Sequence, residues 1–386
     1  MTIDQPVTTY SETANQIRLI SDYIFNIDPM DTPVVARLGL DSANSKFKLA
    51  AYRSGKNVKV ELLEDTNRPL TTTANQGTTI TTSTLTLTVT DASLFNPGDV
   101  ILIDSEYMVV ADGGVNTGTN RVTLDSRAYG GTNATHATGA TITFVGNARV
   151  EGDDADYVGL TSLSNPYNYT SIFQQGIKVT GSEGVLGQYG KPEGEYSYQM
   201  NKAIPEQSRL IERMFFHGVR RQGSATVARA MGGVGTYVTS NSSSITTTIT
   251  KASFDAVTKA VFDDGGFPNL FIIGTGGANT IHNLIDSSSF VRVDQQNTVW
   301  GMMPIVRLNS QFATNMEMIM SRHCPAKKAY ALDVAKAGFY TYRAFGEHEV
   351  ARTGDSVKGE VIGEFSLLIA NGSLGHGYVV TTATSL

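Results

Sequence analysis

The 386-residue sequence predicts an α+β protein carrying a small all-β module, and three observations carry that reading. Residues 71–145 show two-residue apolar alternation cut by Gly, Asn and Pro turns, residues 195–219 place an apolar stripe at helical spacing, and short helix and strand signals mix from Lys251 onward. The module interrupts flanking segments of a different texture, so it reads as an insertion into a scaffold.

The first element is a short helix over residues 12–25, where Ile17, Ile20 and Ile24, with Leu19 or Phe25, fall near one side. Asp28-Pro29-Met30-Asp31-Thr32-Pro33 stops it. The module opens over residues 71–90, where eleven of twenty residues are Thr and Leu85, Leu87 and Val89 alternate with Thr86, Thr88 and Thr90. A turn at Asn96-Pro97-Gly98-Asp99 precedes strands at 100–103 and 107–110. Gly113-Gly114 is read as the next turn, then a strand at 121–124, a turn at Gly130-Gly131 and a strand at 141–145. Such runs build a compact barrel or sandwich.

After the module, Glu151, Asp153, Asp154 and Asp156 form an acidic turn, and residues 165–181 read as an extended half-buried ribbon through Ile172, Phe173, Ile177 and Val179. The long helix over 195–219 sets Met200, Ala203, Ile204, Leu210, Ile211, Met214 and Phe215 mostly on one stripe, with Arg209, Glu212 and Arg213 opposite. Pro205 inside it predicts either a kink or two abutting helices, and Gly218 ends it. A helix at 253–262, a stop at 263–268, a strand at 270–273 and a helix at 278–285 follow. Strands dominate 316–342, and β character returns at 359–369 and 377–382.

A chain of this length accommodates two or three domains. The formal charge of -6 gives no overall attraction to nucleic acid or anionic membrane, and only 17% of residues are charged, as befits broad contact surfaces. No lysine occurs between Lys59 and Lys178, which argues against a phosphate-binding face on the module. Cys324 is the sole cysteine, so an internal disulfide is excluded and a reducing compartment is expected. Residues 1–6 lack a basic segment followed by an apolar core, and the strongest apolar run, 270–273, is too short to span a bilayer. A soluble chain made in the cytoplasm, with no membrane partner, is the expectation.

Reactive chemistry is sparse. Gly274-Thr275-Gly276-Gly277-Ala278-Asn279 follows a strand and opens a helix, but Asn279 replaces the third glycine of a phosphate loop. Asp294 lies at the distance of a ribose partner with no second βαβ unit after it, so an ordinary tight turn is preferred. His323-Cys324-Pro325 sets imidazole beside thiol without an orienting third group, and Cys324 reads as a small structural residue. The acidic turn offers oxygens to Ca²⁺ but lacks the closing Glu of a calcium loop, and is read as solvated. His136, His217, His282, His348 and His376 show no metal-ligand spacing. No P-loop, nucleophile elbow or paired catalytic carboxylates stand out, so neither enzyme activity, cofactor nor metal is expected.

The order of segments resembles the tailed-bacteriophage major capsid proteins of the Hong Kong 97 fold. The stretches that carry the resemblance are Asp31-Thr32-Pro33, Asn168-Tyr169-Thr170-Ser171-Ile172-Phe173, Ile177-Lys178-Val179-Thr180-Gly181, Leu210-Ile211-Glu212, Arg229-Ala230-Met231-Gly232-Gly233, Asp264-Gly265-Gly266-Phe267-Pro268 and Gly363-Glu364-Phe365-Ser366-Leu367. The resemblance implies an N-arm at 1–55, an extended loop at 56–190 carrying the β insertion at about 71–147, a peripheral domain with the spine helix at 191–249, an axial domain at 250–350 and a peripheral return at 351–386. The function it implies is self-assembly, as hexamers and pentamers, into an icosahedral shell around double-stranded DNA in the virion. A separate scaffolding protein, a portal and a cement protein are the implied partners. Arg18, Tyr169, Phe173, Lys178, Arg209 and Arg213 are taken as subunit-contact positions. Some shells of this fold are welded by Lys–Asn isopeptide bonds; with no lysine in the outer extended loop, non-covalent assembly is expected. Two rival readings remain: a β-rich adhesion or receptor-binding virion protein, and an enzyme with a nucleotide site at Gly274.

Overall fold

The computed structural model describes residues 32–39, 57–149, 151–152, 163–186, 191, 193–246, 249–277, 291–298, 301–308, 310–313 and 315–381. The helices expected at 12–25 and 278–285, together with Arg18, Asp153, Asp154 and Asp156, lie outside the described residues. The chain divides into two compact units, the first from Met1–Leu62 and Pro166–Leu386, the second from Leu63–Asn165.

Helix α1 (Pro33–Leu38) begins on a proline, whose fixed φ suits a first turn and whose missing N–H is not needed there. Strand β1 (Lys59–Glu61) then leads to the second unit. There β2 (Thr71–Thr73), β3 (Thr86–Thr88), β4 (Asp99–Ile103), β5 (Glu106–Asn116), β6 (Arg121–Ser126) and β7 (Thr141–Asn147) form one antiparallel sheet in the order β2-β7-β4-β5-β6-β3. An Ala74–Val89 bridge, with hydrogen bonds from Asn75 N–H to the Thr88 carbonyl (2.8 Å) and from Thr90 N–H to the Thr73 carbonyl (3.2 Å), joins the two edge strands. The sheet thus closes into a small barrel. Side-chain alternation fills it: Ile101 and Ile103 from β4, Met108 and Val110 from β5, Val122 and Leu124 from β6 all point inward.

Two details differ from expectation. Leu85 precedes β3 and is half exposed, although it shares the alternation of Leu87 and Val89, which are buried. Gly113-Gly114 does not end a strand: Gly113 takes φ 62° inside a bulge, where the pairing slips between Val110 and Val115, and β5 continues beyond it.

In the first unit, β8 (Tyr167–Tyr169) pairs antiparallel with β1, and β9 (Ser171–Thr180) extends as a ribbon. Helix α2 (Gly181–Val185) leads to α3 (Gly194–His217), a single 24-residue helix that runs through Pro205. Two abutting helices are therefore ruled out, and Gly218 caps the end as expected. Then come β10 (Ser242–Ile245), α4 (Lys251–Asp263), β11 (Leu270–Ile273), β12 (Val291–Thr298), β13 (Gly301–Leu308), β14 (Met316–Met320), β15 (Lys328–Leu332), β16 (Ala337–Val350), β17 (Ser356–Ile369) and β18 (Gly377–Thr381). Seven of these strands form a mixed sheet in the order β10-β18-β15-β11-β14-β13-β12. Thr250 and Ser253 close a capping box at the start of α4, which packs Phe254, Val257 and Val261 onto this sheet.

The remaining sheet, β16-β17-β9, joins a strand that precedes α3 to strands near the end of the chain. Its core side chains Phe173, Phe339, Phe365 and Leu367 share a cluster with Val34 and Leu38 of α1 and Ile211 and Phe215 of α3. Glu212, expected on the polar side of α3, is fully buried. Its Oε2 accepts the Val34 and Val35 N–H groups (3.2 and 3.4 Å) and its Oε1 accepts the Ser321 hydroxyl (2.5 Å). A carboxylate there satisfies N–H groups that a helix start leaves unpaired.

Candidate assembly surface

The chemistry-bearing residues act as structural members. Cys324 is buried, its thiol donates to the Lys328 carbonyl at 3.3 Å, and burial, with the Glu212 charge nearby, pushes its pKa up to about 12. A thiol held protonated in this way is inert as a nucleophile. Gly274 packs against the Cys324 carbonyl, while Ala278 and Asn279 lie outside the described residues. His376 accepts the Asp333 N–H at Nδ1 (3.0 Å) and donates from Nε2 to the Ala370 carbonyl (3.1 Å); burial draws its pKa down to about 4. Among the described residues no group of three or more His, Cys, Asp or Glu is placed to hold a metal ion, and no helix is long and apolar enough to cross a membrane.

What the first unit does present is a long ribbon with two different faces. Ser171, Phe173 and Val179 of β9 are buried, whereas Ile172, Gln174, Gly176, Lys178 and Thr180 are exposed. On β17, Gly359 lies under Tyr196 of α3, where an added Cβ would stand 2.0 Å from the tyrosine hydroxyl, so the missing side chain lets helix and ribbon close together. Glu364, opposite Ile172 and Arg343 in register, is buried and accepts hydrogen bonds from Thr170 Oγ1 (2.5 Å), Arg229 and Arg343 Nε (3.1 Å). Burial would raise that carboxyl, but the bonds from Thr170 and Arg229 and the charges of Arg229 and Arg343 hold it below the ordinary range. Asn168 donates to the Gly232 and Leu367 carbonyls (3.0 and 2.8 Å) and accepts the Gly232 N–H (2.8 Å), which ties the ribbon root to the segment after α3.

These contacts sort the expected subunit-contact positions. Tyr169 and Phe173 are only 9% and 5% exposed and belong to the subunit's own packing, Phe173 facing Phe365 at 6.3 Å between ring centroids. Strand alternation turns odd-numbered β9 side chains such as Phe173 inward. Lys178 and Arg213 are exposed and Arg209 half-exposed, while Arg18 lies outside the described residues. Beside the ribbon, a groove of about 720 Å³ between β9 and the end of α3 is lined by Ile172, Leu210, Arg213, His217, Val219 and Arg221. Its apolar walls are open to solvent, with Ile172 46%, Leu210 42% and Val219 75% exposed.

Sequence reasoning passed over one buried network in the second unit. Glu106 accepts hydrogen bonds from Arg127 Nε and Nη2 (3.0 and 2.7 Å) and from the Ala128 and Ala134 N–H groups (3.0 and 2.9 Å). His136 Nε2 lies 2.9 Å away and its Nδ1 faces Asp104 at 2.7 Å. Burial would raise the Glu106 pKa, yet Arg127, Ala134 and His136 hold it at about 2. The available signal was four ionisable groups, Asp104, Glu106, Arg127 and His136, in a module without lysine.

Residues 6–383 match the SU10 major capsid protein family. The chain belongs to that family. No curated protein sequence matches it. Among solved structures, the capsid asymmetric unit of cyanophage A-1(L) aligns over 98% of this chain and 100% of that one, with 10% identity and a TM-score of 0.57. That likeness shows a shared fold, the Hong Kong 97 type of capsid proteins. A chain from the structure of Mycobacterium phage Bobi aligns over 62% of this chain and 81% of that one at 10% identity, TM-score 0.41, and the SrpI encapsulin of Synechococcus elongatus PCC 7942 over 57% and 77% at 12%, TM-score 0.43. Family membership makes this a major capsid protein, a structural component of a phage shell, located in the virion.

Proposed function

We propose that the capsid protein assembles as hexamers and pentamers into an icosahedral shell that encloses double-stranded DNA, without catalysis and without covalent welds. The family match across residues 6–383 carries this reading. The geometry supports it: β9 is anchored on one face through Phe173, Glu364 and Gly359, which leaves the other face and the groove beside it free for neighbouring copies.

In this reading residues 1–55 are the N-arm, 56–190 the extended loop with an all-β domain inserted at about 71–147, 191–249 the peripheral domain with α3 as its spine, 250–350 the axial domain and 351–386 the peripheral return. The separate core of the Leu63–Asn165 unit supports the insertion. Lys178 and Arg209 are contact positions between copies. Overlapping extensions give each subunit several interfaces of standard size, roughly 1,600 Å² each, so that modest contacts add to a cooperative wall. Scaffolding, portal and cement proteins are the further partners, and synthesis takes place in the host cytoplasm. Negative-stain microscopy of the purified protein is expected to show closed particles or rings of five and six. Denaturing gels of boiled particles are expected to show the monomer band alone; a monodisperse small globule, or a ladder of heavy bands, speaks against this function or this mode of assembly.

A further inference from the structure

We propose that the surface formed by the end of α3 and the segment after it, centred on Arg213, Arg220 and Arg221, contacts the phosphate backbone of the enclosed duplex DNA; the presence of that DNA rests on the shell reading. Residues 213–254 contain four arginines and Lys251 but no Asp or Glu, in a chain whose formal charge is -6. Such local asymmetry marks a polyanion partner. The nearest preceding acid, Glu212, is buried beneath α1 and lends the surface no exposed carboxylate.

The cations are also gathered in space. Arg213, His217 and Arg221 are exposed and line one groove, and neither Arg213 nor Arg221 has an ion-pair partner among the described residues. Arg220 lies over the Tyr167 ring at 4.2 Å and donates to the Tyr167 carbonyl at 2.9 Å, which carries the strip to the root of β8. Guanidinium groups pair with phosphate oxygens in fixed fork geometry and release counterions without reading sequence, as a container for any genome requires.

The rival occupant is an acidic face of a neighbouring copy, its second unit, which holds twelve acidic residues against four arginines and no lysine. Four of those acids, Glu151, Asp153, Asp154 and Asp156, fall within six residues of sequence; of the others, Asp91 caps a turn through Ser93, Asp104 faces His136, and Asp112 and Asp125 lie on β5 and β6. The exposed cations Arg213, Arg220 and Arg221 have no carboxylate between them in sequence, and a continuous polyanion offers a phosphate to each guanidinium in turn.

The test uses the unassembled full-length chain, titrated at several NaCl concentrations with a labelled linear duplex of random sequence. Electron microscopy of the same preparations after assembly accompanies it. The double variant Arg213→Ala/Arg221→Ala removes two side chains that lie outside the core. Each phosphate contact contributes roughly 0.9 to the slope of log affinity on log salt, so the slope is expected to shrink by about 2 while shells still form, and Arg213→Lys/Arg221→Lys is expected to retain it. An unchanged slope with normal shells overturns the proposal and leaves the shell function standing. An unchanged slope with lost shells overturns it in favour of a contact between copies. Failure of the unaltered chain to form shells removes the shell reading, and this inference with it.

Discussion

Glu106, Glu364 and His376 are buried ionisable residues whose neighbours decide their charge. Glu106 and Glu364 stay ionised because guanidinium groups and N–H or hydroxyl donors replace the water they lost. His376 instead stays neutral, because burial disfavours its charged form and Nδ1 accepts the Asp333 N–H. Its pKa is about 4 in the fold against an ordinary 6.5, so the unfolded chain takes up the proton first and stability falls as pH drops from 6.5 through 4. The loss in that window amounts to about 3 kcal/mol at one residue. Glu106, at about 2 against an ordinary 4.5, keeps its contribution above pH 4.5 and gives it up only as pH falls towards 2. Acid is therefore expected to weaken the first unit before the second. In urea titrations from pH 7 to pH 4, His376→Gln is expected to flatten the decline of stability; an unaltered decline would show that other groups dominate it.

Period two in the strands and period 3.6 in the helix brought most elements within reach of the sequence. β4, β6, β11 and the 24-residue α3 were anticipated to within a few residues, because each buries its apolar set by a plain repeat. The departures all arise where a tertiary partner overrides a local signal. Glu212 sits at a position that local pattern marks as exposed, and only the arrival of α1 from the far side of the sequence makes a buried carboxylate favourable there. Gly113 signals a turn, but the β6 pairing that resumes at Val115 turns it into a bulge. Among the candidate contact residues, the alternation of β9 was legible, yet which face met α3 was not, since that depends on Gly359 and Glu364 almost two hundred residues later. Gly359 offers a direct check on this long-range fit. Gly359→Ala forces a methyl group into Tyr196 and is expected to cost about 1–3 kcal/mol, as overpacking does. Adding Tyr196→Phe is expected to recover part of that loss in thermal melts; additive effects in the double-mutant cycle would refute the contact.

Charge and connectivity divide the whole molecule in the same place. Between Leu63 and Asn165 the chain is acidic and free of lysine, and it fills its own barrel with Ile80, Leu87, Phe95, Ile101 and their neighbours. The two points where the chain leaves and re-enters the first unit lie side by side, since β1 and β8 pair antiparallel from Lys59–Tyr169 to Glu61–Tyr167 and the Leu62 N–H donates to the Pro166 carbonyl at 2.8 Å. That geometry is the mouth of a hairpin. Replacing Leu63–Asn165 by a two-residue Asn-Gly turn, with Pro166→Thr to supply the N–H that closes it, gives the ladder the connection its twist prefers. The shortened chain is expected to fold with unchanged secondary structure in its first unit and to form particles under the same conditions as the parent. The excised 63–165 segment is expected to melt cooperatively by circular dichroism, because its apolar core is complete within itself. If the segment folds but the shortened chain stays monomeric and well folded, the barrel holds contacts between copies; if the shortened chain fails to fold at all, the first unit depends on the barrel for its stability and the division into two units is only geometric.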